Sequence, residues 1–285
     1  MRRLLLLAIP LSAVALTTTG TGGGAVAASC GKADLKTVSA GTITVGTDNP
    51  AYPPWFGGNP GHGWKISDPY SGKGFESAVA YAIAKQLGFS KAEVAWKYTP
   101  FARSYAPGKK AFDFDINEIS FTPARAKVVD FSSSYYDVSQ GIVVNKGTKA
   151  ASVRSVAGLR GLKLGVQIGS TSYTAITQQI KPTTKPAVYD TNDKAVFALK
   201  SKQIDALVVD LPTAFYVTAV QVPNGKIVGQ LATVPGGEHF GVVLQKRSPL
   251  TACVNQALAA LRKNGTLKKI QSTWLSKVVR VPVLK

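Results

Sequence analysis

Residues 112–136 read FDFDINEISFTPARAKVVDFSSSYY, and the meaning of this stretch decides the fold. Phe112, Phe114 and Ile116 alternate with Asp113, Asp115 and Asn117, which is the period of a half-buried strand. The strand is expected to end at a polar turn, because Ser120, Thr122 and Pro123 follow it. Proline is favoured at the first helical position, so Thr122 reads as an N-cap and Arg125 as a first-turn residue beside it. Hydroxyls, free backbone N–H groups and one guanidinium therefore converge on one point. All are donors, and such a point suits an anion, most naturally a carboxylate gripped bidentately by Arg125. The competing reading is a plain helix cap with a solvated arginine.

Working outward toward the N-terminus, TITVGT at 42–47 puts Ile43 and Val45 on one face of a strand. Asp48, Asn49 and Pro50 end it. Tyr52, Pro53, Pro54 and Trp55 form a loop too proline-rich for regular structure, whose aromatics are either core plugs or a wall for a ligand. The glycine- and proline-rich residues 56–73 read as a surface excursion. Phe75, Val79, Ile83 and Leu87 then fall at helical spacing, with Gly88 as the stop. Val94-Ala95-Trp96-Lys97-Tyr98 is a second strand, and Phe101 opens a loop reaching Pro107-Gly108. This rhythm belongs to an α/β lobe with a largely parallel sheet, in which ligands sit beyond the carboxyl ends of strands. Asp48, Tyr52, Phe101, Ser120 and Arg125 all fall there.

Toward the C-terminus the pattern repeats. Gly141-Ile142-Val143-Val144 and Leu164-Gly165-Val166-Gln167 are strands, and Gly169-Ser170-Thr171-Ser172 is a small-residue turn opening a helix, a second corner friendly to anions. Ala187-Val188-Tyr189 is a strand, Asn192 caps a helix carrying Val196 and Leu199, and Ile204 to Val209 is an apolar strand ended by Asp210. That carboxylate is either a helix cap or a receiver for a cation. Gly236-Gly237-Glu238-His239-Phe240-Gly241 leads into the strand Val242 to Leu244, read as the chain crossing back. Two crossings, near 137–141 and 238–241, make a hinge. Pro249 begins a helix with Leu250, Val254, Leu258 and Leu261 on one face, and a last helix carries Leu267, Ile270 and Trp274.

Five of these stretches, TVGTDNPAYPPW, GFESAVAYAIAKQLGF, ISFTPARAKVVDFSSSYY, KLGVQIGSTSY and IDALVVDLPTAFY, occur in the order found in the extracytoplasmic amino-acid-binding proteins of ABC importers, and the chain resembles that family over nearly all its length after the leader. The resemblance implies a two-lobed periplasmic-binding-protein-like fold, each lobe a mostly parallel sheet flanked by helices. Lobe 1 is expected to comprise 28–138 and 240–285, and lobe 2 139–239. It implies a free amino acid held between the lobes, with Arg125 and Thr171 on its carboxylate and Asp210 on its α-ammonium. Tyr52 and Phe101 would pack on its side chain, and Asp48, Ser120 and Gln167 are further expected ligand-binding positions. A membrane permease is the implied partner, a monomer the implied state, and no cofactor is implied. The alternative is a secreted enzyme on the same fold, similar to the cyclohexadienyl dehydratases. No nucleophile and base pair, metal cluster or phosphate loop stands out, and His62 and His239 read as incidental.

Glu118 falls where the resembling proteins more often carry Gly, Ser or Gln, two residues before Ser120, and is expected to face the cleft. A carboxylate there needs a positive or strongly donating partner when the lobes close. Lys109 or Lys110 could supply it. If the ligand does, the cognate amino acid is cationic or amide-bearing: arginine, lysine, ornithine or glutamine over glutamate and aspartate.

Met1-Arg2-Arg3, the apolar run from Leu4 to Leu16 and the small residues Ala25-Val26-Ala27 read as a secretory signal peptide over 1–27, so an extracytoplasmic protein is expected. Lys and Arg outnumber acids 34 to 15. The basic residues are scattered singly, without an arginine-rich helix, so this charge reads as attraction to an anionic envelope rather than nucleic-acid binding. Cys30 and Cys253 are the only cysteines, a number that suits one disulfide in an oxidising compartment. Ala27-Ala28-Ser29-Cys30 also loosely resembles a lipobox, which would make Cys30 a lipidated N-terminus.

Overall fold

The computed structural model describes residues 30–233, 237–275 and 281–285; the expected signal peptide lies outside them. In chain order, strand β1 (Ile43–Thr47) is followed by helix α1 (Phe75–Gln86), β2 (Val94–Tyr98), the short α2 (Phe101–Ser104), β3 (Phe114–Asp115), the short α3 (Pro123–Ala126) and β4 (Val129–Phe131). A first crossing, β5 (Tyr136–Asp137), leads to β6 (Gln140–Asn145), α4 (Val156–Leu159), β7 (Leu164–Gln167) and α5 (Thr171–Ala175). Then come β8 (Ala187–Tyr189), α6 (Asn192–Lys200), β9 (Ala206–Asp210), α7 (Leu211–Tyr216) and β10 (Gly225–Gln230). The return crossing is β11 (His239–Phe240), before β12 (Val243–Gln245), α8 (Thr251–Lys263) and α9 (Thr266–Leu275).

These strands build two five-stranded sheets, ordered β2-β1-β3-β12-β4 and β10-β6-β9-β7-β8, and a two-stranded ribbon of β5 and β11. In the first, β1 runs parallel to β2 and β3, whereas β12 is antiparallel to β3 and β4. In the second, β7 is parallel to β8 and β9, and β6 is antiparallel to β9 and β10. Four of the five strands of each sheet thus run the same way, as expected for a mostly parallel sheet, and one, β12 or β6, is reversed. The strand that arrives straight from a crossing enters against the others, because no βαβ turn precedes it.

β1 is buried on both faces, as a strand covered by helices on each side should be. The half-buried strand expected at 112–117 is a two-residue strand in which the polar positions are as buried as the apolar ones. Asp113 is internal because its carboxylate accepts the backbone N–H groups of Thr44 (2.6 Å) and Val38 (2.7 Å), tying the start of β1 to β3. The core of this lobe centres on Trp55, fully buried, with the rings of Phe75, Tyr136 and Phe240 at 5.9, 5.7 and 5.5 Å. Two of those rings come from the crossings, which anchors both crossings in the first lobe.

Residues 56–73 are not a mere surface excursion, since Phe56, Trp64, Ser67 and Asp68 are buried. The loop before them does the work of an N-cap: the carbonyls of Pro54 and Trp55 accept the first N–H groups of α1, from Phe75 (2.9 Å) and Glu76 (2.8 Å). This close approach needs Gly74, at φ +95°, where a Cβ would lie 2.4 Å from the Cα of Phe56.

α8 carries Cys253, bonded to Cys30 with a Cα separation of 5.4 Å, so the lipidated alternative for Cys30 is set aside. α8 and α9 pack on α1 through Leu258, Leu261, Leu267 and Leu275. The expectation that all of 240–285 belongs to the first lobe fails at the end of the chain. Leu284 is buried in the core of the second sheet, and the backbone of Gln230 pairs with Pro282 and Leu284 at 2.9 Å each. Two further positions differ by a residue or two. Thr191 rather than Asn192 caps α6, through Lys194 N–H (3.3 Å), and α8 begins at Thr251 rather than Pro249. Among the described residues no helix is long and apolar enough to cross a membrane.

Candidate functional site

The carboxyl ends of β1, β2, β7, β8 and β9 open onto one cleft between the sheets, with a cavity of about 280 Å³. Asp48, Tyr52, Phe101, Glu118, Arg125, Gln167, Thr171 and Asp210 line it. Ser120, the remaining position singled out in the sequence, does not. It is buried behind the wall with its hydroxyl directed at Glu238.

Thr122 caps α3 as expected, its hydroxyl accepting the Arg125 N–H at 3.1 Å. Arg125, however, is buried, not solvated. Its Nη1 donates to the Ser120 carbonyl (2.6 Å), and its Nη2 reaches across the cleft to the Gly169 carbonyl (2.8 Å). The rings of Tyr105 and Phe101 lie 4.2 and 5.6 Å from the guanidinium carbon, a cation–π support that holds the plane of the fork. Burial pulls its pKa down from the usual arginine value, with Tyr105, Glu238 and Asp210 opposing the shift. Phe101, expected to open a loop, instead starts α2, which aims its ring both into the cavity and beneath Arg125.

On the opposite wall, Asp210 ends β9 without capping α7 by its side chain. Its Oδ1 accepts the Gln140 amide at 2.6 Å. Burial, then the neighbouring Glu238 carboxylate, raises its pKa well above the ordinary aspartate value. Glu118 sits at φ +53°, a conformation few non-glycine residues adopt, which places its side chain in the cleft. Its Oε2 accepts the Thr213 hydroxyl (2.7 Å), and Trp55 Nε1 donates to that same hydroxyl (2.9 Å). Burial, with Glu76 and Asp210 nearby, raises the Glu118 pKa strongly. Neither lysine considered for it is its partner: Lys110 is buried with its ammonium on the carbonyls of Arg103 (3.0 Å) and Ala106, and Lys109 is exposed.

Behind Glu118 lies Glu76, wholly buried, whose Oε1 accepts the Glu118 N–H (2.7 Å) and the Tyr135 hydroxyl. Burial pushes its pKa up to about 7. At the outer end, Asp48 is likewise raised by burial although Asn49 N–H donates to it at 2.8 Å. The Tyr52 hydroxyl bonds Asp193 of α6 across the cleft, and its ring meets Tyr216 at 5.8 Å.

Asp190, Asp193, Thr213, Tyr105 and Glu238 belong to this site and escaped the sequence reading. The first two follow the end of β8 in the run Asp190-Thr191-Asn192-Asp193, so the strand-end rule applied to Asp48 would have found them. Five of the fifteen acidic residues of this basic chain, Asp48, Glu118, Asp190, Asp193 and Asp210, line the cavity beside a single guanidinium. Such a surface attracts a cation and keeps one anion-reading corner at Arg125 and Thr171. Among the described residues no group of three or more His, Cys, Asp or Glu side chains could hold a metal ion.

A two-lobed α/β protein with a polar interlobe cleft is the architecture of an extracytoplasmic solute receptor. The chain belongs to the bacterial extracellular solute-binding proteins, family 3, whose profile matches residues 43–277. It is 28% identical over 241 residues to the L-cystine-binding protein TcyJ of Escherichia coli strain K12, covering 84% of each chain. It is 29% identical over 208 residues to ABC transporter arginine-binding protein 1 of the same strain, covering 70% of this chain and 81% of that one. Among solved structures, an ancestral arginine-binding protein bound to glutamine superposes with a TM-score of 0.67 at 34% identity, covering 83% of this chain and 98% of that one.

Proposed function

We propose that this protein captures a free α-amino acid with a cationic or amide-bearing side chain between its lobes, outside the cytoplasm, and passes it to the permease of an ABC importer. The observation that carries this reading is the polarity of the cleft. Arg125 and Thr171 stand at one end as donors to a carboxylate, and Asp210 stands on the facing wall as a receiver for an ammonium. A charged hydrogen bond of this kind contributes roughly 1.5–3 kcal/mol, so an Arg and an Asp reading both ends of a zwitterion select free amino acids over peptides and acids.

The side chain would extend past Tyr52 and Phe101 toward Asp48 and Asp193. Glu118 adds a further carboxylate beside Asp210. A cationic ligand offsets these crowded acids, whereas glutamate or aspartate adds to their repulsion. The names of the relatives, which include arginine- and cystine-binding proteins and an arginine-binding ancestor holding glutamine, support a polar amino acid. In this reading the protein is a monomer and a receptor, not an enzyme. The moving units are 28–138 with most of 240–285, and 139–239 with the final residues.

Thermal-shift screening of the purified protein against the common amino acids tests this reading. A ligand at 100 times its dissociation constant adds about 2.7 kcal/mol of stability. Arginine, lysine, ornithine or glutamine should raise the melting temperature and glutamate should not. Tight glutamate binding with no response to the others would overturn the ligand class. Turnover of prephenate or arogenate by the same preparation would move the protein to the dehydratases.

A further inference from the structure

The return crossing contributes a side chain to the site. The Glu238 carbonyl accepts Val138 N–H (3.1 Å), which pins its backbone beside the first crossing. Its carboxylate turns toward the anion-reading corner. Oε1 accepts the Ser120 hydroxyl (2.6 Å) and the Thr171 hydroxyl, and Oε2 accepts the Gln140 amide (2.9 Å). That amide is oriented by the Ser172 hydroxyl, which donates to Gln140 Oε1 (2.6 Å), so its two N–H groups serve Glu238 and Asp210. Three donors from three separate segments thus meet one carboxylate.

Thr171 is the hydroxyl that the amino-acid reading assigns to the ligand's α-carboxylate, and Ser120 stands behind it with its own hydroxyl on the same Glu238 oxygen. Each has a single proton to donate, so they cannot serve two carboxylates at once. We propose that Glu238 is a tethered competitor for this corner, which a free amino acid must displace before its own carboxylate can seat. This rests on the ligand reading above and adds a control to it. A tethered group acts at an effective concentration on the order of millimolar, so it sets a threshold that only a ligand engaging both ends of the cleft surpasses. Because Ser120 and Thr171 belong to opposite lobes, the same carboxylate also holds the lobes together without a ligand.

The test compares wild type with Glu238→Ala and Glu238→Gln, by calorimetric titration and by small-angle scattering in ligand-free buffer. E238A should bind L-arginine about 10-fold or more tightly, the gain expected when a competing state that dominates the free protein is removed. Agmatine, which lacks the carboxylate, should gain nothing. Ligand-free E238A should have a larger radius of gyration than wild type, with E238Q between the two. Arginine affinity that is unchanged or lower in E238A would overturn the proposal, as would equal radii. If no amino acid binds either protein, the ligand reading fails, and the radii alone decide the role of Glu238.

Discussion

Trp55 and Thr213 are joined across the cleft by a 2.9 Å hydrogen bond, from the indole at the centre of the first lobe's core to a hydroxyl in the first turn of α7 in the second. The Thr213 hydroxyl in turn donates to Glu118, so three residues form one directional chain.

Thr213→Val keeps the shape and removes both bonds. Each lost bond costs about 1–2 kcal/mol, but only where the lobes meet, so ligand affinity should fall roughly 10-fold or more. The melting temperature of the ligand-free protein should change little by comparison. Calorimetry and thermal melts on the same preparation check this. A full-affinity valine variant would show that the chain contributes nothing to closure.

Arg125→Lys preserves the charge but loses the planar fork that spans the Ser120 and Gly169 carbonyls. Binding should weaken by roughly 10- to 100-fold, the range of a lost charged bidentate contact. Arg125→Ala should remove binding and also lower the melting temperature, because a buried side chain stacked on Tyr105 is lost with its hydrogen bonds. An alanine variant with wild-type affinity, read by titration, would remove the carboxylate assignment.

Glu118 is held toward its protonated form by burial and by the neighbouring carboxylates of Glu76, Asp210 and Asp48. A cationic ligand favours the ionised form, so binding near neutral pH should release protons and affinity should rise with pH. Titration in buffers of differing ionisation enthalpy measures the release. Glu118→Gln should reduce it and should lose arginine more than glutamine. Equal losses for both ligands would leave Glu118 without a role in reading charge.

Glu76 tests the same physics on stability. Its folded pKa of about 7 lies above its ordinary 4.5, so between those values the folded state holds more protons than the unfolded one. Stability contributed by this group is therefore present at low pH and is lost as pH rises through that window. Glu76→Gln should flatten the fall in melting temperature between pH 5 and 7 relative to wild type, a slope read from melts across that window. An unchanged slope would mean that Glu76 stays ionised.

What the sequence made legible follows the range of the forces involved. β1, β2 and the Thr122 cap are local: apolar period, Gly and Pro punctuation and a Thr-Pro pair lie within a few residues of each other. The Cys30–Cys253 bond was legible because the chain has no other cysteines. β10 was missed because Gly225 and Gly229 interrupt its apolar pattern. Asp113 was placed toward solvent because no periodicity reveals that a carboxylate will meet two backbone N–H groups from a distant strand. Glu238 read as part of a connector for the same reason, since its partners Ser120, Gln140 and Thr171 come from three distant segments.

The two crossings are hydrogen-bonded to each other, with His239 opposite Asp137 and Phe240 opposite Tyr136. Two independent tethers would allow the lobes to twist and slide as well as swing; a paired ribbon resists those motions and leaves bending as its soft coordinate. Phe121 N–H joins the same ladder through the His239 carbonyl at 2.9 Å, one residue after Ser120. The site therefore lies beside the fulcrum, where a displacement of an ångström at the hydroxyl corresponds to a much longer arc at the rim of the lobes. The ribbon is a lever whose short arm is chemical and whose long arm is the rim of the two lobes.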